Sequence, residues 1–149
     1  MNFLLTDQPT DACIAPVPRA MRAHNVEVNP EFMAAMEDDA QQPRPLCVFA
    51  QDESGGVVGG VLGDTQFKWC KIRIIAVEQR HRAAGVATEL LRRAEAEAAA
   101  RGCRYVYLDS MDYHAPSFYA ARGYECAGTI EDWDSRGHTK FYFTKRIGA

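Results

Sequence analysis

The chain is 149 residues long, 47% hydrophobic and 25% charged, which is enough apolar material for one domain with its own core and excludes disorder, collagen and coiled coil. Seventeen Lys and Arg against twenty Asp and Glu give a net charge of −3, the wrong sign for a protein built around nucleic-acid phosphates. No apolar run reaches the roughly 18 residues of a membrane span and the first residues lack the basic flank and apolar core of a signal peptide, so a cytoplasmic protein without nucleic-acid or membrane partners is expected.

The opening Asn2 to Leu5 reads as a short strand. Asp11 to Ala40 reads as helical in two pieces broken at Asn29-Pro30, with Asn29 as cap and Pro30 in the first helical position. Pro43 and Pro45 close that region. Leu46 to Ala50 and Val57 to Leu62 then form two strands joined by a hairpin connection over Gln51 to Gly56. Gly59-Gly60 inside the second of them predicts a bulge or a close backbone approach. Trp69 to Val77 is the next strand, and its apolar end, Ile74-Ile75-Ala76-Val77, predicts a central position with both faces covered.

From Gly85 to Ala100 the residues Val86, Leu90, Leu91, Ala94 and Ala98 recur at helical spacing, Glu89 and Arg93 form an i, i+4 pair, and Gly102 stops the helix. Tyr105 to Leu108 follows as a strand, Ala115 to Arg122 as a short helix ended by Gly123, and Glu125 to Ile130 and Lys140 to Lys145 as closing strands. The order β, α, α, three β, α, β, α, β, β describes a mixed α/β domain that is not purely doubly wound, and 1–149 is expected to be a single domain.

Five cysteines, at 13, 47, 70, 103 and 126, are odd in number and have no C-x-x-C spacing, so reduced and mostly buried thiols are expected. The four histidines, at 24, 81, 114 and 138, include no i, i+4 pair, and no metal site is expected.

Two segments carry chemistry. Between the apolar strand and the long helix lies Gln79-Arg80-His81-Arg82-Ala83-Ala84-Gly85-Val86-Ala87. Small residues before a helix N-terminus let backbone N–H groups and the helix dipole converge on an anion, so a phosphate or pyrophosphate is the expected ligand. Neither G-x-x-x-x-G-K-[ST] nor G-x-G-x-x-G is present, which separates this loop from P-loops and dinucleotide folds. The second segment, Asp109 to Tyr124, gathers polar residues after a strand, where α/β sheets tend to place their sites. Phe118 reads as core, whereas Tyr119 carries a phenol that needs a partner if buried.

Arg82 to Ala87 and Ala115 to Tyr124 together resemble the acetyl-CoA loop and the late helix of the GNAT superfamily of N-acetyltransferases, and the element order matches that fold along nearly the whole chain. The resemblance implies a mixed sheet of six to seven strands with about four helices, in a small bacterial single-domain member. It implies acetyl-CoA as co-substrate, held by Ile75, Ala76 and Val77 along the pantetheine arm and by Arg82, Ala83, Ala84, Gly85, Val86, Ala87 and Thr88 at the pyrophosphate. It places Tyr119 where the general acid stands.

The chain departs from the family pattern at Asp112, where Asn is usual, and at Ile72-Arg73, where relatives can carry an acidic base. Candidates for the base are therefore Asp112, His114, Glu78 and Asp109, with His114 having the most suitable ordinary pKa, about 6.5. The expected reaction is direct acetyl transfer to a primary amine of a small molecule or peptide, with deprotonation through water reaching Asp112 or His114. An acyl-CoA-binding regulatory module is the alternative. A cysteine ping-pong route ranks last, because neither motif contains Cys. Similar proteins are often homodimers.

Overall fold

The computed structural model describes residues 1–82 and 84–148, and the chain divides into two compact units, Met1–Gln42 and Pro43–Ala149. The first unit is helical, with α1 (Asp11–Ile14), α2 (Pro16–Val28), α3 (Pro30–Glu37) and a 3-10 turn over Asp39–Gln41. The helical region is thus in three pieces rather than two. Ala15 keeps helical dihedrals, but Pro16 has no N–H to continue the ladder, so the first turn is cut off. The break at Asn29 is as expected: its Oδ1 accepts from the Phe32 amide at 3.3 Å, capping a helix whose first residue is Pro30. Arg22 and Glu37 form an exposed ion pair between α2 and α3. Asn2 to Leu5 forms no strand; a strand exists only through its ladder partners, and none pairs with this segment.

The second unit holds a six-stranded mixed sheet in the order β1-β2-β3-β4-β6-β5. Its elements are β1 (Arg44–Gln51), β2 (Val57–Gln66), β3 (Trp69–Val77), α4 (Val86–Ala100), β4 (Tyr105–Met111), α5 (Pro116–Ala120), β5 (Glu125–Ile130) and β6 (Lys140–Arg146). All neighbours are antiparallel except β3 and β4, which are parallel and joined through α4. Asp52 builds the β1–β2 hairpin by accepting from the amides of Ser54 and Gly56. No helix among the described residues is long and apolar enough to cross a membrane.

α4 lies across β1, β2 and β3 and buries Leu90, Leu91, Ala94 and Ala98, the residues its periodicity picks out. The two alanines let the helix approach the sheet closely, and each leucine contributes about 1.5–3 kcal/mol by leaving water. Leu46, Val61, Cys70, Ile72, Cys103, Val106, Leu108, Tyr119, Tyr124 and Phe143 complete the core. Of the five cysteines only Cys70 and Cys103 are buried, while Cys13, Cys47 and Cys126 are exposed, against the expectation of mostly buried thiols. Cys47 and Cys126 sit in the two edge strands, β1 and β5.

Three glycines in β2 set how closely its neighbours approach. A Cβ on Gly59 would sit 2.9 Å from the Ala76 carbonyl oxygen, and one on Gly60 3.0 Å from that of Val48, so this pair serves close approach. The register of β2 also slips twice, once beside Gly59 against β1, where Ala50 lies opposite Gly59 and Gln51 opposite Val57, and once farther along against β3. The second slip lies between Leu62, opposite Ile74, and Gly63, opposite Ile72, leaving Arg73 as the extra residue, and a Cβ on Gly63 would collide with the Lys71 carbonyl oxygen. A bulge bends and twists its strand, and this one falls where β3 leaves β4.

Candidate active site

Parallel pairing between β3 and β4 covers only Trp69, Cys70 and Lys71 against Tyr105, Val106 and Tyr107. Beyond them β3 runs on to Val77 and β4 to Met111 without pairing to each other. One backbone edge of β3 from Ile72 onward therefore faces an opening at the C-terminal ends of two parallel strands, where open α/β sheets place their ligands. The opening is a cavity of about 1080 Å³ lined by both strands, the start of α4, α5 and the loop between β5 and β6. Ile74 is 53% exposed, so the end of β3 is a cleft wall rather than a strand covered on both faces.

At one end stands the anion loop. Ile75, Ala76, Val77, Arg82, Gly85, Val86, Ala87 and Thr88 all line the cavity. Ala84 instead borders a smaller neighbouring pocket, and Ala83 lies outside the described residues. Gly85 caps α4 with φ +77° and an added Cβ there would meet nothing within 4 Å; the glycine supplies a left-handed turn and open space in front of the helix. The amides of the first turn of α4 have no helical acceptors and point out of its N-terminus. Arg82 folds back, its Nε donating to the Val77 carbonyl at 3.0 Å, and so ties the loop to the end of β3.

Sequence reasoning passed over Arg122. Its guanidinium donates from Nε to Thr88 Oγ1 at 3.2 Å and from a terminal nitrogen to the Phe118 carbonyl at 2.8 Å, and it lies 3.7 Å over the Phe118 ring. It lines the cavity and joins the end of α5 to the first turn of α4. Its position three residues after Tyr119, inside the second motif, was the available signal.

Tyr119 sits in α5 at 6% exposure, with Phe118, Tyr124 and Phe143 rings around it. It borders the cavity, and its hydroxyl hydrogen-bonds to no described residue. Burial first, and the Asp109 charge second, push its pKa above the ordinary phenol value.

The candidate bases scatter. β4 extends through Met111, three residues past its expected end, which puts Asp109 on the strand. Asp109 borders the cavity and is paired with Lys140 at 2.9 Å. His114 also borders it. Asp112 and Glu78 are absent from the wall. Asp112 Oδ2 accepts from the Thr139 amide at 2.9 Å and Oδ1 meets His138 Nδ1 at 3.1 Å; the Thr139 amide, ahead of His138, holds its pKa below the usual carboxylate value. Glu78 pairs with Arg80. Arg73 borders the cavity with its charge met by Asp64 at 2.8 Å. No cysteine among the described residues lines the cavity.

At the other end the β5–β6 loop contributes Trp133 and Asp134. Positive φ at Asp132, Ser135 and Gly137 turns the loop tightly, and Asp132 Oδ1 accepts from the Gly137 amide at 2.6 Å. Asp112 clasps its far side through Thr139 and His138.

A family model described as "Acetyltransferase (GNAT) family" matches residues 17–124. The chain is 34% identical over 113 residues to blasticidin-S acetyltransferase of Streptomyces morookaense, covering 73% of this chain and 83% of that one. It is 30% identical over 147 residues to acetyltransferase Atu2258 of Agrobacterium fabrum, covering 99% and 100% respectively. Among solved structures, an acetyltransferase from Bacillus cereus superposes with a TM-score of 0.75 at 27% identity, covering 97% of this chain and 98% of that one.

Proposed function

The chain belongs to the GNAT acetyltransferase family, whose co-substrate is acetyl-CoA, and from that premise we propose that it acetylates a primary amine on a small molecule by direct attack within a ternary complex. The observation that carries this reading is the splay of β3 from β4 beside the open N-terminus of α4, with Tyr119 bordering the same cavity. Because the family match runs from 17 to 124, across the division at 42, the reading treats 1–149 as one functional domain.

The donor set suits a pantetheine diphosphate. The unpaired edge of Ile75, Ala76 and Val77 offers alternating N–H and C=O groups to an amide-bearing arm. The first-turn amides of Val86, Ala87 and Thr88 offer donors and a favourable dipole to a diphosphate, with Gly85 leaving room for it. Arg82 and Arg122 bond to carbonyl and hydroxyl oxygens rather than to carboxylates, so both charges remain available to an anion. The co-substrate supplies an acyl group activated as a thioester. In the transfer a carbon–nitrogen bond forms, the carbon–sulfur bond breaks, the amine gives up a proton and the departing sulfur takes one.

Tyr119 serves the departing sulfur. A free thiol has a pKa near 8.5 and a phenol near 10, and burial raises Tyr119 further, so outright proton transfer from it runs uphill. Donating a hydrogen bond to charge developing on sulfur in a dry site is the role its environment suits. The amine's proton leaves through water reaching His114 on the wall, while Asp112, spent on Thr139 and His138, positions the loop that closes the acceptor end.

The test is release of free thiol from acetyl-CoA with a panel of small-molecule amines, blasticidin S included because of the relative's name, and mass spectrometry of the acetylated product. Amine-dependent thiol release that disappears without the amine is expected. Tight acetyl-CoA binding with no acetylated product from any amine would instead favour a cofactor-binding regulatory module.

A further inference from the structure

The charges around the cavity are not evenly compensated. Arg73 is met by Asp64 and Lys140 by Asp109, so these two cationic side chains are already paired. Arg82 and Arg122 at the α4 end have no carboxylate partner among the described residues. Asp134 at the opposite end takes part in none of the ion pairs between described residues; its Oδ1 accepts from the amides of Arg136 at 2.9 Å and His138 at 3.2 Å, and Oδ2 has no partner among them. The α4 end therefore carries positive charge with no carboxylate partner, and the other end a carboxylate, Asp134, with no ion-pair partner, beside a Lys140 ammonium that Asp109 already pairs.

Asp134 is also held in place. The Trp133 amide donates to the His138 carbonyl at 2.9 Å, Asp132 ties Gly137, and Asp112 both donates to and accepts from Thr139. The neighbouring indole of Trp133 borders the cavity, is 49% exposed, and already takes the Lys140 ammonium 4.3 Å from its ring centre. An exposed aromatic face beside a fixed, half-satisfied carboxylate is an arrangement that selects cations, and a loop ordered in advance loses little entropy when it does so.

We propose that Trp133 and Asp134 form a second-cation subsite, so that the acceptor is dibasic: one primary amine reacts, and a second ammonium or guanidinium on the same molecule is anchored by this loop. This rests on the acetyltransferase reading above and adds the acceptor's chemical class.

The probes are linear diamines from diaminopropane to diaminooctane, each set against the monoamine of equal length, so that spacing is scanned along with charge. Two readouts are taken on the full chain: kcat/KM by thiol release, and calorimetric binding of each amine to the CoA-loaded protein. At least one diamine is expected to exceed its matched monoamine by about 10-fold in both, the gain lent by a charge-assisted contact, with the excess shrinking as salt is added. Asp134→Asn is expected to erase that excess while leaving the monoamine within a factor of about 3, and Trp133→Leu to reduce it. Acetyl-CoA affinity unchanged in both variants shows that they are folded.

Diamines and monoamines turned over equally by the wild type, or a diamine preference untouched by Asp134→Asn, would overturn the subsite while leaving the acetyltransferase reading intact. Asp134-dependent diamine binding without acetyl transfer would do the reverse, keeping the subsite and sinking the proposed activity. No binding and no turnover of any diamine would also overturn the subsite.

Discussion

Tyr119 has every reason to stay protonated. Its ring is packed among three other aromatic rings, and burial raises its pKa, so a phenol that ordinarily ionises near 10 remains a donor at any physiological pH. Tyr119→Phe keeps the packing and removes only the donor. It is expected to lower turnover by roughly 10- to 1,000-fold, at or below the usual span for a positioned acid, with acetyl-CoA affinity little changed; wild-type turnover on a good amine would remove the hydroxyl from the reaction. Arg122 makes the complementary prediction. Arg122→Met loses the bonds to Thr88 and Phe118 and is expected to weaken acetyl-CoA binding about 10-fold by calorimetry, the worth of one or two hydrogen bonds to a charged group, whereas Arg122→Lys retains charge but not the forked geometry and falls between. Tyr119 was legible because its motif is local, spelled out over ten consecutive residues. Asp112 was not, because what consumes its carboxylate is an amide and an imidazole 27 and 26 positions later, and no spacing rule in the sequence joins them.

Strands and the long helix were readable where periodicity alone decides. β3 stands at its expected limits and α4 within one residue of them, Gly85 being its left-handed cap, because the apolar spacing of the helix is dictated by the face it buries. β2 runs on to Gln66 and β4 to Met111, past their expected ends, because Asp64, Thr65, Gln66, Asp109 and Ser110 look like loop residues by composition while their backbones are paired into the sheet. The feature that makes the site, the parting of β3 from β4, has no signature in either strand's own residues. It arises opposite a third strand, where Gly63 lets the backbone of Lys71 come close and Arg73 is squeezed out of register. Gly63→Ala therefore tests the origin of the cleft. The obstacle is a backbone carbonyl, which cannot rotate aside as a side chain would, so a loss of about 2 kcal/mol or more is expected in urea unfolding, together with weaker acetyl-CoA binding as the bulge shifts. Gly85→Ala probes a different cause, since an added Cβ there meets nothing and only the left-handed dihedrals are penalised, by about 1–2 kcal/mol. Equal effects of the two substitutions would contradict the separation of close approach from conformation.

At the scale of the whole molecule, the core of the second unit holds several weak acids whose protons cannot easily leave. Burial raises Cys70 from 9.0 to about 12, with the neighbouring Cys103 adding to it, and burial also raises Cys103, Tyr119 and Tyr124, the last with help from the Glu95 carboxylate that its hydroxyl hydrogen-bonds at 2.9 Å. Below pH 9 both folded and unfolded chains keep these protons and the linkage is silent. As pH rises past 9 the unfolded chain releases the Cys70 proton while the folded chain keeps it, so unfolding is favoured, and the loss continues until the folded thiol itself titrates near 12. Each such group costs about 1.4 kcal/mol per pH unit in that window, so Cys70 alone removes on the order of 4 kcal/mol by pH 12, and the tyrosines add to it from about pH 10. The expected outcome is a urea midpoint that is flat from pH 7 to about 9 and then falls steeply. Cys70→Ala should lower stability at pH 7 by leaving a small cavity, yet make the alkaline fall shallower by about one proton per molecule. An unchanged alkaline slope in that variant would mean that the Cys70 thiol is not among the groups whose protons hold the fold together.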